Sequence, residues 1–103
     1  MSTIHYDINR ISGLVTTASG TGHMSLPDGM AEEIRQVVVQ PTISSNMYTV
    51  RLMNKDDNDM VMWTRDADGD FREDVAVSIY GNYKVNISGA TSDDIFKVRL
   101  LYR

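Results

Sequence analysis

The chain has 103 residues, no cysteine, fourteen Asp/Glu against ten Lys/Arg, and a formal net charge of −4. That length predicts one domain with a core large enough to need no metal or disulfide staples, and without thiols there is no cysteine nucleophile, zinc–thiolate site or iron–sulfur cluster. The acidic balance argues against nucleic acid, whose phosphates call for a basic stripe, and no stretch approaches the ~18 continuous apolar residues of a membrane span.

Met1-Ser-Thr-Ile-His5 lacks a basic region followed by an apolar run, so no signal peptide is expected and the product is expected to start out in the cytoplasm. In residues 1–33 the apolar positions Ile4, Ile8, Ile11, Leu14 and Val15 are spaced by Ser, Thr, Gly and Asn, which predicts an extended N-terminal arm carrying one edge strand near Ile8 to Thr17. Leu26-Pro-Asp-Gly29 reads as a turn, and Met30 to Arg35 as a single helical turn. Ile34-Arg-Gln-Val-Val-Val-Gln-Pro41 then reads as a strand with β-branched residues on both faces, stopped by Pro41.

Met47 to Met53 places Tyr48, Val50 and Leu52 on one face. After the polar turn 54–59, Met60 to Arg65 completes a hairpin in which Val61 and Trp63 join the core. An acidic segment, 66–74, precedes Val75-Ala-Val-Ser-Ile-Tyr80. Gly81-Asn82 fits a two-residue turn, making 75–88 a hairpin, or else Gly81 is a corner that sends 83–88 to another sheet. The chain closes on two alternating strands: Tyr83, Val85 and Ile87 share one face, and Phe96, Val98, Leu100 and Tyr102 form an apolar row with Lys97, Arg99 and Arg103 opposite.

Seven or eight short strands with turn signals about every ten residues predict an all-β fold: a single antiparallel β-sandwich of immunoglobulin-like or jelly-roll type over residues 34–103. Greek-key order is not readable from the pattern.

The chemistry-bearing spacings are few. Asp66-x-Asp68-x-Asp70-x-x-Glu73 resembles the first half of a calcium loop, but Phe71 stands where glycine is needed and Val77 where the closing glutamate belongs. A solvated acidic turn is therefore the reading, with a metal site at these four residues as the alternative. His5 and His23 are the only imidazoles, and no nucleophile, phosphate or dinucleotide motif occurs, so neither enzyme activity nor a cofactor is expected. Trp63 and the five tyrosines would suit a sugar-stacking platform, yet the alternation makes Trp63 a core anchor. Met47, Met53, Met60 and Met62 fall opposite the core residues of the 47–65 hairpin, which predicts either an irregular core or an adaptable interface. Seven arginines against three lysines favour planar contacts with a protein partner.

Ile34 to Pro41, Tyr48-Thr-Val-Arg-Leu52 with its Asp-rich turn, Gly81 to Ser88 and Phe96 to Tyr102 together resemble small β-sandwich virion proteins of tailed bacteriophages. The resemblance covers about residues 34–103. It implies a structural protein of the virion without catalysis or cofactor, most readily a head decoration or cement protein that binds the major capsid protein or another virion protein; closed symmetry that buries the methionine patch makes a homo-oligomer expected, a trimer ahead of a dimer. A carbohydrate-binding or host-attachment module is the alternative, and a calcium-dependent adhesion domain the outsider.

Overall fold

The computed structural model describes residues 9–103, so His5 and the expected start of the first strand at Ile8 lie outside it. Eight strands account for most of those residues: β1 Asn9–Thr16, β2 Gly22–Ser25, β3 Met30–Pro41, β4 Met47–Asn54, β5 Met60–Asp68, β6 Phe71–Gly81, β7 Tyr83–Ser88 and β8 Ile95–Tyr102. One turn of 3-10 helix, Lys55–Asp57, is the only helical element among the described residues.

The strands form two antiparallel four-stranded sheets, ordered β1-β8-β3-β6 and β2-β7-β4-β5. The pairs β1–β8, β2–β7, β3–β6 and β4–β5 are those of one long hairpin whose tip is the β4–β5 turn. Rolling that hairpin up adds the pairs β3–β8 and β4–β7 and closes the sandwich. This is the order of a jelly roll, with every connection except β4–β5 crossing from one sheet to the other, and it settles the choice against an immunoglobulin-like arrangement.

Both inner faces follow the period-two pattern. Val37, Val39, Phe96, Val98 and Leu100 of one sheet meet Val50, Leu52, Val85 and Ile87 of the other, each no more than 1% exposed. At roughly 1.5–3 kcal/mol for each large aliphatic or aromatic side chain removed from water, this layer is the main source of stability.

Three sequence expectations are corrected. Met30 to Arg35 is not a helical turn: it opens β3, where Met30 and Ile34 are buried and pair with Gly81 and Val77, so the alternating burial outweighs the weak helical propensity. Residues 9–33 do not stand apart from the sandwich. They supply one edge strand to each sheet and add Val15, Leu26 and Met30 to the core. The segment 75–88 is not a hairpin: Gly81, with φ of 117°, is a corner from which β6 and β7 diverge into different sheets. Asp56 fixes that corner, its Oδ2 accepting from the Asn82 backbone N–H at 3.0 Å and its Oδ1 from Asn82 Nδ2 at 3.1 Å.

Candidate binding surfaces

The four carboxylates of the calcium-like spacing do not converge. Asp66 and Asp68, two positions apart on β5, lie on the exposed outer face of their sheet, and Asp66 Oδ1 accepts from Thr49 Oγ1 at 2.8 Å. Asp70 lies just past the Gly69 corner, and Glu73, on β6 in the other sheet, accepts from Arg65 Nε at 3.1 Å. Among the described residues no group of three His, Cys, Asp or Glu is placed to hold a metal ion.

Trp63 sits in the core at 8% exposure, its ring 6.1 Å from that of Phe71 and capped by the Arg65 guanidinium at 5.3 Å. Its Nε1 is buried without an acceptor. Tyr48 and Tyr83 are also buried, whereas Tyr80, on the outer face of β6, is 83% exposed. These rings therefore share no exposed stacking surface.

The methionine face is divided by a β-bulge. Leu52 pairs with Trp63, but Met53 pairs with Val61 and Asn54 with Met60, leaving Met62 without a partner across the ladder. The extra residue reverses the alternation, so Val61 leaves the core position expected of it and stands outside at 44% exposure. Met60 at 45% and Met62 at 38% flank it, with half-buried Met53 opposite. Met47 is exposed too, but six residues along β4 from Met53, or about 20 Å at strand rise. Three of the four expected interface methionines thus gather at one end of the β5 edge, and Met47 does not join them.

A further surface appears only once the strand order is known. On the outer face of the β1-β8-β3-β6 sheet, the cross-strand register lines up Ser12, Arg99, Val38 and Arg72 in one row. Arg10, Leu101, Gln36 and Asp74 form the row on one side, and Leu14, Lys97 and Gln40 the row on the other. Val38, though outward-facing, is only 6% exposed. Three adjoining depressions, of about 350, 270 and 540 Å³, run across these rows.

Four of the ten basic residues stand in these rows with one carboxylate, Asp74, whose Oδ1 is taken by Gln36 Nε2 at 2.8 Å, and Asp70 lines the smallest depression beside Arg72 and Arg99. Among the described residues none of Arg10, Arg72, Lys97 and Arg99 forms an ion pair; the three pairs present are Arg35–Glu33, Arg65–Glu73 and Lys84–Asp59. Arg99 and Arg72 flank Val38 two strand spacings apart, about 10 Å between backbones. Two like charges at that distance repel by roughly 0.4 kcal/mol in water and nearer 2 kcal/mol at an effective dielectric of 20. The alternation on the last strand already set Lys97 and Arg99 opposite the core, but Arg10 and Arg72 lie far away in the sequence and only the jelly-roll order brings them alongside.

The sequence matches no family model and no curated relative. The solved structures that share the fold include two at a TM-score above 0.5. A periplasmic inhibitor of g-type lysozyme from Aeromonas hydrophila aligns at a TM-score of 0.51 with 14% identity, over 93% of this chain and 86% of that one. The Yersinia pseudotuberculosis-derived mitogen aligns at 0.52 with 11% identity, over 91% and 84%. A carbohydrate-binding module solved with calcium and xylotriose is more distant, at 0.45 and 8%, and carries no weight. At such identities the likeness defines an all-β sandwich and nothing about what the chain binds.

Proposed function

We propose that the chain is a non-enzymatic structural protein of a tailed-phage virion, a decoration or cement protein that binds and stabilises the shell as a homo-oligomer. The observation that carries the reading is the β5 edge, where Met60, Val61 and Met62 are all more than a third exposed at one end of an edge strand. An apolar edge of that kind is an aggregation hazard unless another chain covers it, and closed symmetry, with a trimer ahead of a dimer, covers it without open-ended growth. The jelly roll supports the setting, being an architecture of viral capsid domains, though lectin domains share it. Burial of Trp63, Tyr48 and Tyr83 weighs against the carbohydrate-binding alternative, which needs exposed rings.

Mass spectrometry of purified particles, with copy number, tests the assignment. A protein present at a fixed multiple of the major capsid protein supports it. A chain absent from particles and monomeric in solution overturns it.

A further inference from the structure

We propose that the outer face of the β1-β8-β3-β6 sheet is a docking surface for an extended acidic protein segment, with Arg72 and Arg99 as its carboxylate-binding pair and Val38 as the apolar floor between them. This goes beyond the oligomer edge on β5, which belongs to the other sheet.

The charge distribution is the first argument. A chain of net charge −4 collects Arg10, Arg72, Lys97 and Arg99 on one face, with none in an ion pair among the described residues. Asp70 and Asp74 at the β6 side offset this repulsion only in part, and an arriving anion would relieve the rest. Arg99 adds a second argument, because its Nε is buried without an acceptor. A carboxylate taking Nε together with a neighbouring Nη in the bidentate geometry of guanidinium would satisfy that donor after a modest turn of the side chain.

Spacing and composition select the class of anion. Lys97 and Arg99 stand two residues apart on β8, about 7 Å, which is the repeat of carboxylates at alternate positions of an extended chain. Val38 lies between Arg99 and Arg72 in one row, while Leu101 stands beside Arg10 and Leu14 beside Lys97 in the two others. Apolar side chains among arginines are the composition of a protein interface; a phosphate backbone has no use for them, and the overall negative charge would repel a nucleic acid.

The test uses the purified full chain and a labelled peptide alternating Glu with Leu, followed by fluorescence anisotropy at low salt. The proposal expects binding that weakens as salt rises, no binding of the matching Gln–Leu peptide, and a loss of about tenfold or more in Arg72→Gln/Arg99→Gln, with Lys55→Gln unchanged. If that double variant melts early, Arg10→Gln/Lys97→Gln asks the same question at two exposed positions. Equal binding of the Gln–Leu peptide, indifference to both double variants, or tighter binding of dextran sulfate than of the Glu–Leu peptide overturns the proposal. So does salt-sensitive self-association abolished by Asp66→Asn/Asp68→Asn on the other sheet, which would make a second copy the occupant. Since no particle enters the experiment, its failure and that of the virion reading are separate results.

Discussion

The Tyr48 hydroxyl donates a 2.7 Å hydrogen bond to the carbonyl oxygen of Gly69, and both residues are buried. The bond ties the start of β4 to the corner where the chain leaves β5 for the other sheet, while the ring of Tyr48 meets Phe96 edge-on at 4.9 Å. Tyr48→Phe keeps the ring and strands the carbonyl, so it should cost about 1–3 kcal/mol in denaturant unfolding. Burial, reinforced by the nearby charges of Asp70 and Asp68, raises the pKa of this phenol. The folded chain therefore holds the proton more tightly than the unfolded chain, whose phenol titrates near pH 10. That contribution is complete below about pH 10 and is lost as the pH climbs past it, so the gap between wild type and Tyr48→Phe should narrow only in strong alkali. A gap that narrows already between neutrality and pH ~9 would contradict this.

Asp94 pins three separate connections. Its Oδ2 accepts from the Ile43 N–H at 2.8 Å and from Asn46 Nδ2 at 3.3 Å, and its own N–H donates to Thr17 Oγ1 at 2.9 Å. Burial alone would raise its pKa, but the N–H groups of Ile43 and Ile95, with the side chains of Asn46 and Thr42, more than reverse that and leave the carboxyl below its usual value. The carboxylate thus stabilises the fold above the ordinary aspartate pKa near 4, and its contribution fades as pH falls through that value towards the folded one. Asp94→Ala should cost about 1–2 kcal/mol at neutral pH, the lower part of the usual range because water reaches part of the site. Thermal melts from pH ~7 down to pH ~2 should show the two proteins converging in acid; parallel curves would mean that the carboxylate is not what holds these loops.

The corner at Gly81 has a geometry that favours glycine. Its φ of 117° is one that side chains disfavour, and an added Cβ would run into Asp56 Oδ2. The same corner binds the rest of that end of the molecule, since Asn82 Oδ1 accepts from the Gly29 N–H at 2.9 Å and the Asn82 carbonyl from the Lys55 N–H at 2.8 Å. Gly81→Ala should therefore lower stability by about 1–3 kcal/mol from backbone strain alone, with more from displacing Asp56. An unchanged urea midpoint would show that the corner relaxes freely.

Most strands were legible because the period-two pattern survives wherever one face is buried, as along Tyr83 to Ile87 and Phe96 to Leu100. Two kinds of information were not. A bulge adds one residue without any mark in the sequence, so Val61, which alternates perfectly with Trp63, ends on the opposite side of the sheet. Pairing between distant strands leaves no local trace either: Arg10 meets Leu101, and Arg72 stands two strands from Arg99, only because the rolled hairpin sets β1, β8, β3 and β6 side by side. The four methionines stand out in the sequence, but a single interface through all of them requires an unbroken alternation, which the bulge removes. The acidic spacing 66–73 likewise looks like a loop only while β5 and β6 are taken to stop short of it, whereas both strands run into it and separate its carboxylates.

The bulge confines the methionine edge to Met53, Met60 and Met62 and leaves Met47 apart. Met60 and Met62 are 45% and 38% exposed, and neither belongs to the buried cluster, so replacing both by Ser should leave the monomer folded with its melting temperature little changed. If the β5 edge is the subunit contact, the double variant should weaken assembly by about 1–3 kcal/mol through lost apolar burial, read by sedimentation velocity across a concentration series. Met47→Ser should have a markedly smaller effect, because that side chain lies at the far end of β4 from Met53 and Val61. This ordering separates the edge from a general effect of hydrophobicity, since Met47 is the more exposed residue at 53% and would dominate if exposure alone mattered. Equal weakening by Met47→Ser would move the interface to the outer face of β4. A Met60→Ser/Met62→Ser variant that unfolds would return those two residues to the core and remove the reason for an oligomer.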